Sequence, residues 1–395
     1  MYTNNNIEVP VQKRTTQKVS ILLLIYVYVP YFWNVCEHSF GMPSIVEYVF
    51  LLLLCIASLF IYHKINSKVL WFLMAFFAFL VINCAVVSYK YYVLIEGLQG
   101  FLGVMVPCIC ISNHYFNIND FLWKWYKFAF LNIPLVVIAI FLLRANLAHY
   151  SIFTGICVPN VFILSYGIMQ MQVNKKWAVL VALFNIIVTA TLGGRMAAVV
   201  CVAMLFFAYL FSKDIAIWKK VFFVIAVFAL AYFFIENLNE ILLWVNRVLG
   251  NYGIKSRSVT LLIEQLSSRE LYTTNRETIY TLVIDYIKDR AALPGGFGVA
   301  LFLTSGEYYY VHNCFLQLLV VFGAPGAFIV VLIIIAKFYR FRIVLPKNAV
   351  KLLVFMLLSY LLIGFTGSSF FIHYLATIFI ALFFFGENVL QTMEA

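Results

Sequence analysis

The sequence predicts an all-α polytopic membrane protein, with about twelve transmembrane helices and one long loop. Its 395 residues are 65% apolar and only 11% charged, and the mean hydropathy is +0.98. Soluble domains are about 45–50% apolar and about 25% charged, so a water-soluble globular protein is excluded. Apolar runs that are long enough to cross a bilayer recur along most of the chain. These two observations predict the fold class, and the distribution of cations adds the orientation.

Runs of apolar residues place the transmembrane helices in chain order, nine before the long loop and three after it. The predicted spans are 19–36, 45–62, 69–88, 91–112, 121–143, 152–172, 177–192, 195–212, 221–236, 312–336, 349–365 and 368–386. The predicted organisation is therefore transmembrane helices 1–9 in residues 1–236, an outer loop with amphipathic helices in 237–311, and transmembrane helices 10–12 in 312–395.

The cations of the short connections predict the orientation. With the N-terminus inside, 17 of the 27 Lys and Arg residues lie in the cytoplasmic connections, and only Lys90, Arg144 and Arg195 lie in the short outer ones. Because Lys and Arg accumulate in cytoplasmic loops, both termini are predicted to be cytoplasmic. The net charge of +11 is then explained by loops that face an anionic leaflet, rather than by nucleic acid.

The long loop, residues 237–311, contains two amphipathic patterns. One apolar stripe consists of Ile241, Trp244, Val245 and Val248, and a second consists of Ile279, Val283, Tyr286 and Ile287. The second helix opens with a capping-box spacing at 274–277 and is stopped by the Pro-Gly-Gly-Phe-Gly segment at 294–298. The loop is either an amphipathic cover for the bundle or a functional lid, and its length favours a function.

The sequence lacks several familiar chemical motifs. We find no His/Asp cluster with metal-ligand spacing and no glycine-rich loop for nucleotide phosphates. An ATP-driven pump is therefore excluded on this chain alone, and a metal-dependent transferase that uses nucleotide sugars is disfavoured. All eight cysteines fall in or beside predicted spans, where small apolar packing residues are expected.

Two arginines and one histidine on the predicted outer face are the candidates for chemistry. Arg195 follows two glycines at a break between spans, where an arginine either snorkels to the interface or clamps an anion. Arg276 lies in the first turn of the second loop helix, where a cation is unfavourable unless an anion binds; alternatively it pairs with Glu270 or Glu277. His312 precedes the tenth span, where the helix dipole keeps its ring neutral, as a general base or as a hydrogen-bonded interfacial residue.

These residues indicate one chemistry. A lipid-linked diphosphate is a good leaving group once arginines hold its charge, and a neutral histidine can activate an acceptor hydroxyl without a metal. The spacing alone leaves open whether the three residues converge.

At these positions the chain resembles the superfamily of bacterial O-antigen polymerases (Wzy-type) and O-antigen ligases. The resemblance covers the arrangement of about twelve spans with a long periplasmic loop before the tenth. In the family the first motif more often reads Ser-Arg, and here Gly194 takes the place of the serine. The matching segments are Gly193-Gly194-Arg195, Asn275-Arg276, Pro294-Gly295-Gly296-Phe297-Gly298, and His312-Asn313-Cys314-Phe315-Leu316-Gln317 with Gly323 and Gly326.

The resemblance implies a GT-C-like membrane glycosyltransferase of the bacterial inner membrane. It would polymerise undecaprenyl-diphosphate-linked oligosaccharide units at the periplasmic face, with Arg195 and Arg276 on the diphosphate and His312 as base. Further contacts to the sugar, the clamp or the base are expected from Gly194, Asn313, Tyr310 and Gln317. The tyrosines at 308–310 either stack on sugar rings or belong to an aromatic belt.

The expected partners are the lipid-linked oligosaccharide, the lipid bilayer and a chain-length regulator protein, with no nucleic acid, metal or cofactor. Two alternatives stay open. A ligase would use the same donor, clamp and base to move finished glycan to a lipid A core. A glycolipid flippase or other transporter is disfavoured because the spans are nearly free of charge, with Glu96 as the main exception.

Overall fold

The chain is helical throughout the part that the computed structural model describes. The described residues are 5–43, 45–62, 65–113, 115–268, 276–290, 292–308, 311–367 and 373–393, and their regular elements are all helices. The first ten helices are α1 (Asn5–Val27), α2 (Val29–Phe40), α3 (Ile45–Tyr62), α4 (Ser67–Val86), α5 (Lys90–Ile111), α6 (Ile118–Leu131), α7 (Ile133–Arg144), α8 (Ser151–Gln170), α9 (Lys175–Leu192) and α10 (Arg195–Phe211). The remaining helices are α11 (Ile217–Glu236), α12 (Leu238–Asn251), α13 (Arg257–Ser268), α14 (Arg276–Asp289), α15 (Val299–Leu303), α16 (Cys314–Val344), α17 (Lys347–Gly367), α18 (Tyr374–Phe385) and α19 (Glu387–Gln391).

The protein is a polytopic, membrane-embedded helical protein. Within the described residues, seven helices are long and apolar enough to cross a bilayer, and the number is nine if each of two bent helix pairs is one span. Three shorter apolar helices, α3, α10 and α18, accompany them. Each predicted span lies on one of these helices or bent pairs, the last of them from residue 373 onwards. The predicted all-α class is thus confirmed.

Two predicted spans are each divided into a bent pair of helices. The first bends by 51° between α1 and α2, and the fifth bends by 49° between α6 and α7. A proline, Pro30 or Pro134, lies at the start of the helix that follows each break. Proline lacks the amide hydrogen that would continue the preceding helix, and its ring clashes with the previous turn. The apolar runs continue through both breaks, so hydropathy alone gave one span each time.

The first compact unit comprises residues 1–27, 44–124 and 273–395. Helix α5 is its centre, with α3, α4 and α18 packed on it and α17 packed on α18. Glycines help these helices to approach, and Gly97 lies so close to the Leu80 side chain that a Cβ there would overlap it. Helix α14 packs on α15 and α16, and α15 packs on α5.

The second unit comprises residues 28–43 and 125–272, with α8 at its centre. Helices α2, α9 and α10 pack on α8, which is buried along nearly its whole length. Helix α11 has no buried residue, as expected for a helix that faces lipid. At Gly155 a Cβ would lie 3.0 Å from the backbone nitrogen of Tyr31, so glycine permits α2 to contact α8 directly.

The predicted loop is more helical than expected. Its two predicted amphipathic helices exist as α12 and α14, and Ile279 and Val283 of α14 are buried as the apolar stripe predicted. In α12 the buried residue is Leu242, whereas Trp244 of the predicted stripe is 63% exposed. A third helix, α13, was not predicted. Residues Thr274 and Asn275 of the predicted capping box lie outside the described residues.

Candidate functional site

His312 lies in a strained turn immediately before α16. Its φ is 58°, a left-handed conformation that costs a non-glycine residue about 1–2 kcal/mol. The Tyr280 hydroxyl, on α14, donates to the His312 carbonyl at 3.2 Å, and the Tyr308 ring meets the imidazole edge to face at 5.8 Å between centroids. Such strain persists only where surrounding contacts hold it, and it concentrates at functional sites.

The electrostatic surroundings of His312 make its ring neutral. Burial of the imidazole, and then the positive charge of Arg276, lower the pKa of His312 from 6.5 to about 4. At neutral pH the ring is therefore unprotonated, as a general base must be. This low pKa agrees with the neutral ring that the sequence predicted. Its main causes are burial and the charge of Arg276, whereas the sequence prediction was based on the dipole of the following helix.

Arg276 is the first residue of α14 and is half-buried. Its charge acts on two groups, the imidazole of His312 and the hydroxyl of Tyr280 one turn along the same helix. Because the Tyr280 hydroxyl is bonded to the His312 carbonyl, α14 brings a cation and a neutral imidazole to the same place. An anion bound by Arg276 would thus have a proton acceptor beside it.

Asn313 and Gln317 support this turn. The Asn313 side chain caps α16, with its Oδ1 accepting from the backbone N–H groups of Phe315 at 2.9 Å and Leu316 at 3.2 Å. Gln317, which is 2% exposed, uses its Oε1 to accept from the Val311 N–H at 3.0 Å. Asn313 therefore fixes the start of α16, and Gln317 holds the backbone of Val311 next to His312 through a buried hydrogen bond.

The Pro-Gly-Gly-Phe-Gly segment docks onto a break in α16. At Gly323 the backbone leaves the helix, with φ 68° and ψ 172°. Pro325, two residues later, has no N–H for the Val321 carbonyl, and that carbonyl accepts from Gly296 N–H at 3.0 Å instead. The Val320 carbonyl accepts from Gly295 N–H at 2.7 Å, and Ala324 N–H donates to the Ala292 carbonyl at 2.9 Å.

Side chains from two membrane helices anchor the same segment. The Asn83 Oδ1, on α4, accepts from Phe297 N–H at 2.9 Å. The Glu96 Oε2, on α5, accepts from Gly298 N–H at 2.6 Å, and its Oε1 accepts from the Gln317 side-chain amide. Glu96 is 3% exposed, so this carboxylate is a buried part of the site.

Arg195 belongs to the second unit, where it begins α10. Its Nη1 donates to the Gln265 Oε1 of α13 at 2.7 Å. The hydroxyls of Ser256 and Ser258 donate to the carbonyls of Thr191 and Gly193, so α13 is fastened along the break between α9 and α10. The unpredicted helix α13 is therefore the element that holds the Arg195 side chain.

The two glycines before Arg195 differ in what surrounds them. A Cβ at Gly193 would lie 2.9 Å from the Thr189 carbonyl and 3.2 Å from the Phe153 Cβ, so packing against α8 requires glycine. A Cβ at Gly194 would meet nothing closer than the Thr154 hydroxyl at 3.6 Å. Only Gly193 is required by close packing.

The second unit also contains a histidine that the sequence did not single out. Burial, and then the charges of His38 and Arg257, lower the pKa of His149 to about 4. Its Nδ1 lies 3.0 Å from the Ser151 Oγ at the start of α8, and Arg257 lies over the neighbouring Tyr150 ring at 5.4 Å. His149 is thus a half-buried residue at the start of α8.

Sequence reasoning also undervalued Glu96 and missed Asn83. A carboxylate inside an apolar span is costly unless it is paired, and that cost was the available signal for Glu96. Tyr310, one of the predicted site residues, lies outside the described residues. In the described part of the chain, no group of three or more His, Cys, Asp or Glu residues is arranged to hold a metal ion.

Comparison with known proteins does not assign a family. No protein-family model matches the chain, and no curated protein matches it.

Proposed function

We propose that the protein is a membrane glycosyltransferase that polymerises lipid-linked oligosaccharide repeat units into a surface polysaccharide. The donor would be glycan on undecaprenyl diphosphate, and the acceptor would be a sugar hydroxyl of another lipid-linked unit. The proposal includes twelve membrane crossings and cytoplasmic termini, as expected from the apolar runs and the cation distribution. It also includes an active site at the periplasmic face of the bacterial inner membrane, as the family resemblance implies.

In the proposed reaction, His312 takes the proton of the acceptor hydroxyl while that oxygen bonds to the anomeric carbon of the donor sugar. The bond from that carbon to the diphosphate oxygen breaks, and the leaving group departs with its electron pair as undecaprenyl diphosphate. Arg276 stabilises the charge that develops on the diphosphate. For Arg195, the role of second clamp rests on the sequence pattern.

The observation that supports the proposal most is the strained turn at His312, which α14 holds through the Tyr280 hydroxyl one turn after Arg276. This turn lies just before the N-terminal end of α16, and the charge of Arg276 contributes to the low pKa of the half-buried imidazole. A base of this kind beside an anion-binding group suits the displacement of a diphosphate by a hydroxyl.

The first test is a gel of surface glycan from a deletion strain beside the same strain complemented with the intact gene. We expect core that carries a single repeat unit, with the ladder of longer chains absent from the deletion strain. Bare core, with long polymer accumulating on the lipid carrier, would instead indicate the ligase. An unchanged ladder would contradict both.

The residue assignments are tested in the complemented strain with His312→Ala, Arg276→Ala and Arg195→Ala. Each is expected to remove the ladder while the protein remains in the membrane. Removal of a general base, as in His312→Ala, costs about 10²–10⁴ in rate, and the arginine variants remove charge that would stabilise the leaving diphosphate. Two controls should keep the ladder: Arg247→Ala, which removes an exposed loop arginine, and His149→Asn, which replaces the other histidine of low pKa. A full ladder from His312→Ala would contradict the mechanism.

A further inference from the structure

The carboxylate of Glu96 occupies an unusual place for a charge. It lies in the second turn of the membrane helix α5 and is 3% exposed. Both of its oxygens accept hydrogen bonds, Oε2 from Gly298 N–H at 2.6 Å and Oε1 from the Gln317 amide. A buried carboxylate is retained at a large desolvation cost, so its partners indicate what it does.

Gln317 extends this contact to the neighbourhood of His312. Its side-chain N–H₂ donates to Glu96 and its Oε1 accepts from Val311 N–H at 3.0 Å. The orientation of the amide is settled by these partners, because the Val311 N–H needs an acceptor and the carboxylate needs a donor. The hydrogen bonds therefore run in one direction from the backbone of Val311 to the carboxylate of Glu96.

Val311 and His312 are held on both sides. The Val311 N–H is bonded to Gln317, and the His312 carbonyl accepts from the Tyr280 hydroxyl at 3.2 Å. Between these two bonds the backbone adopts the left-handed conformation of His312, with φ 58°. A strained conformation of this kind requires such restraints from its surroundings.

We propose that Glu96 is a positioning residue for His312, acting through Gln317 and the backbone of Val311. Its effect on glycosyl transfer rests on the proposed function, whereas its effect on the placement of the imidazole does not. The hydrogen bonds of Glu96 go to Gly298 and Gln317, so its link to His312 is argued through Gln317. The same carboxyl group anchors the 294–298 segment, so one buried side chain holds both of these irregular stretches.

The direction of the hydrogen bonds provides a sharp test. In Glu96→Gln, the new amide N–H₂ would face the N–H₂ of Gln317, and rotating Gln317 would only move the donor–donor conflict to Val311 N–H. In Gln317→Glu, two carboxylates would face one another. In the double exchange E96Q/Q317E, the amide introduced at position 96 can accept from Gly298 and donate to the carboxylate introduced at position 317. That carboxylate can in turn accept from Val311 N–H, so all three hydrogen bonds are restored with one charge retained.

The experiment measures how fast diethylpyrocarbonate modifies His312 in the purified full-length protein, by peptide mass spectrometry at neutral pH. We expect each single exchange to raise the rate about fivefold, the population shift that corresponds to one lost hydrogen bond. The double exchange should return the rate to that of the wild type. Folding of each variant is checked by thermal unfolding in detergent.

A second hydrogen-bonded Glu–Gln pair on the same helix supplies the control. The Gln99 amide, one turn along α5, donates to the Glu47 Oε2 of α3 at 3.3 Å. Glu47→Gln and Gln99→Glu make the same chemical changes, and we expect them to leave the His312 rate unchanged. An equal change from these controls would overturn the specific link to Glu96.

The effect on catalysis is measured separately with lipid-linked repeat units. We expect Glu96→Gln to lower kcat about fivefold with KM unchanged, since Glu96 makes no substrate contact in the proposed site. Unchanged His312 reactivity in both single variants would overturn the positioning role, as would a double exchange as defective as the singles. If the singles do not fold, a folded double exchange with wild-type His312 reactivity supports the role, and an unfolded one overturns it. If the His312 reactivities are as expected but the wild-type protein does not polymerise the repeat units, the proposed function is contradicted and the positioning role of Glu96 is not.

Discussion

The two units bury polar networks of different kinds. In the second unit, the Asn160 side chain of α8 accepts from the Tyr28 hydroxyl at 2.7 Å and from Asn132 at 2.8 Å, and donates to Asn132 and to Asn185, each at 2.9 Å. All of these groups are neutral. Tyr28 and Asn132 stand at the two breaks before α2 and α7, so this network joins helices where proline interrupts them.

In the first unit, the network contains a carboxylate and its partners are mainly backbone groups of loops. Asn83 and Glu96 accept from Phe297 and Gly298, and Gln317 accepts from Val311. The neutral network stabilises the packing of helices, whereas the charged one holds irregular backbone beside a strained histidine. Glu96, which is costly to bury, therefore lies close to the candidate catalytic residues. This position favours a functional reason for keeping a carboxyl group there.

The largest effect on stability is expected from Gly298→Ala, which disrupts the network that contains Glu96. Gly298 has φ 75°, and a Cβ there would lie 2.4 Å from the Tyr92 carbonyl carbon. Left-handed strain and overpacking against backbone together should lower the free energy of unfolding by about 2–5 kcal/mol. Thermal unfolding in detergent measures it.

Gly250→Ala is the control for that prediction. Nothing lies within 4 Å of a Cβ at Gly250, which is in helix α12. Alanine there should stabilise by about 0.5–1 kcal/mol, because glycine is unfavourable inside a helix. A Gly298→Ala protein as stable as the wild type would show that the 294–298 segment does not dock as described.

Asn160→Leu attacks the neutral network and should have the next largest effect. The substitution preserves side-chain volume but removes the hydrogen-bond partner of the Tyr28 hydroxyl and of the side-chain amides of Asn132 and Asn185. We expect it to lower the free energy of unfolding by about 2–4 kcal/mol. Ser165→Ala on the same helix is the control. The buried Ser165 hydroxyl has no hydrogen-bond partner within the described ranges, so its removal should be neutral. Equal losses from the two variants would contradict the network's contribution.

The pH response of His312 sharpens the comparison further. Its folded-state pKa of about 4 lies below the ordinary 6.5, so the contribution of the neutral ring to stability is complete above pH 6.5 and is lost as the pH falls towards 4. Diethylpyrocarbonate reacts with neutral imidazole, so the His312 rate should hold down to pH 5.5. Added N-acetylhistidine serves as the solvated reference, and its modification rate at pH 5.5 should fall to about a tenth of its maximum.

Arg276→Gln should raise this pKa, since it removes a positive charge, while burial keeps the value below 6.5. Arg290→Gln makes the same charge change just beyond the other end of α14 and should leave the His312 profile as it is. A wild-type midpoint near 6.5 would show that the ring is solvated rather than buried beside Arg276.

Much of the fold could be predicted because apolar length and cation placement are local properties of the sequence. The long apolar runs predicted helices throughout, and the spacing of Ile279 and Val283 predicted the buried face of α14. The breaks at Tyr28 and Asn132 were missed because apolar composition continues through them. The break at Gly323 depends on carbonyls that pair with Gly295 and Gly296, which hydropathy does not report.

The sequence indicated several residues of the candidate site but not how they contact one another. Arg276, His312 and Gln317 stood out by type and position, whereas the pairing of Glu96 with Gln317 joins residues 221 apart in sequence. One sequence contains no signal for such a pairing beyond the presence of two costly polar groups in apolar helices. Helix α13 was missed because its short amphipathic pattern stands among charged loop residues.

The smallest effect is expected at Gly194, where the resembled family more often has serine. The site has φ −81° and space for a side chain, so Gly194→Ser should change the free energy of unfolding by less than about 0.5 kcal/mol and leave the glycan ladder intact. Gly193→Ser, one residue earlier, should cost about 1–3 kcal/mol, because its Cβ would press on the Thr189 carbonyl and on Phe153. Thermal midpoints of the two variants, measured side by side, give the difference. Equal tolerance at both positions would mean that Gly193 packs less closely on α8 than described. A ladder lost only in Gly194→Ser would mean that substrate requires the space beside Thr154.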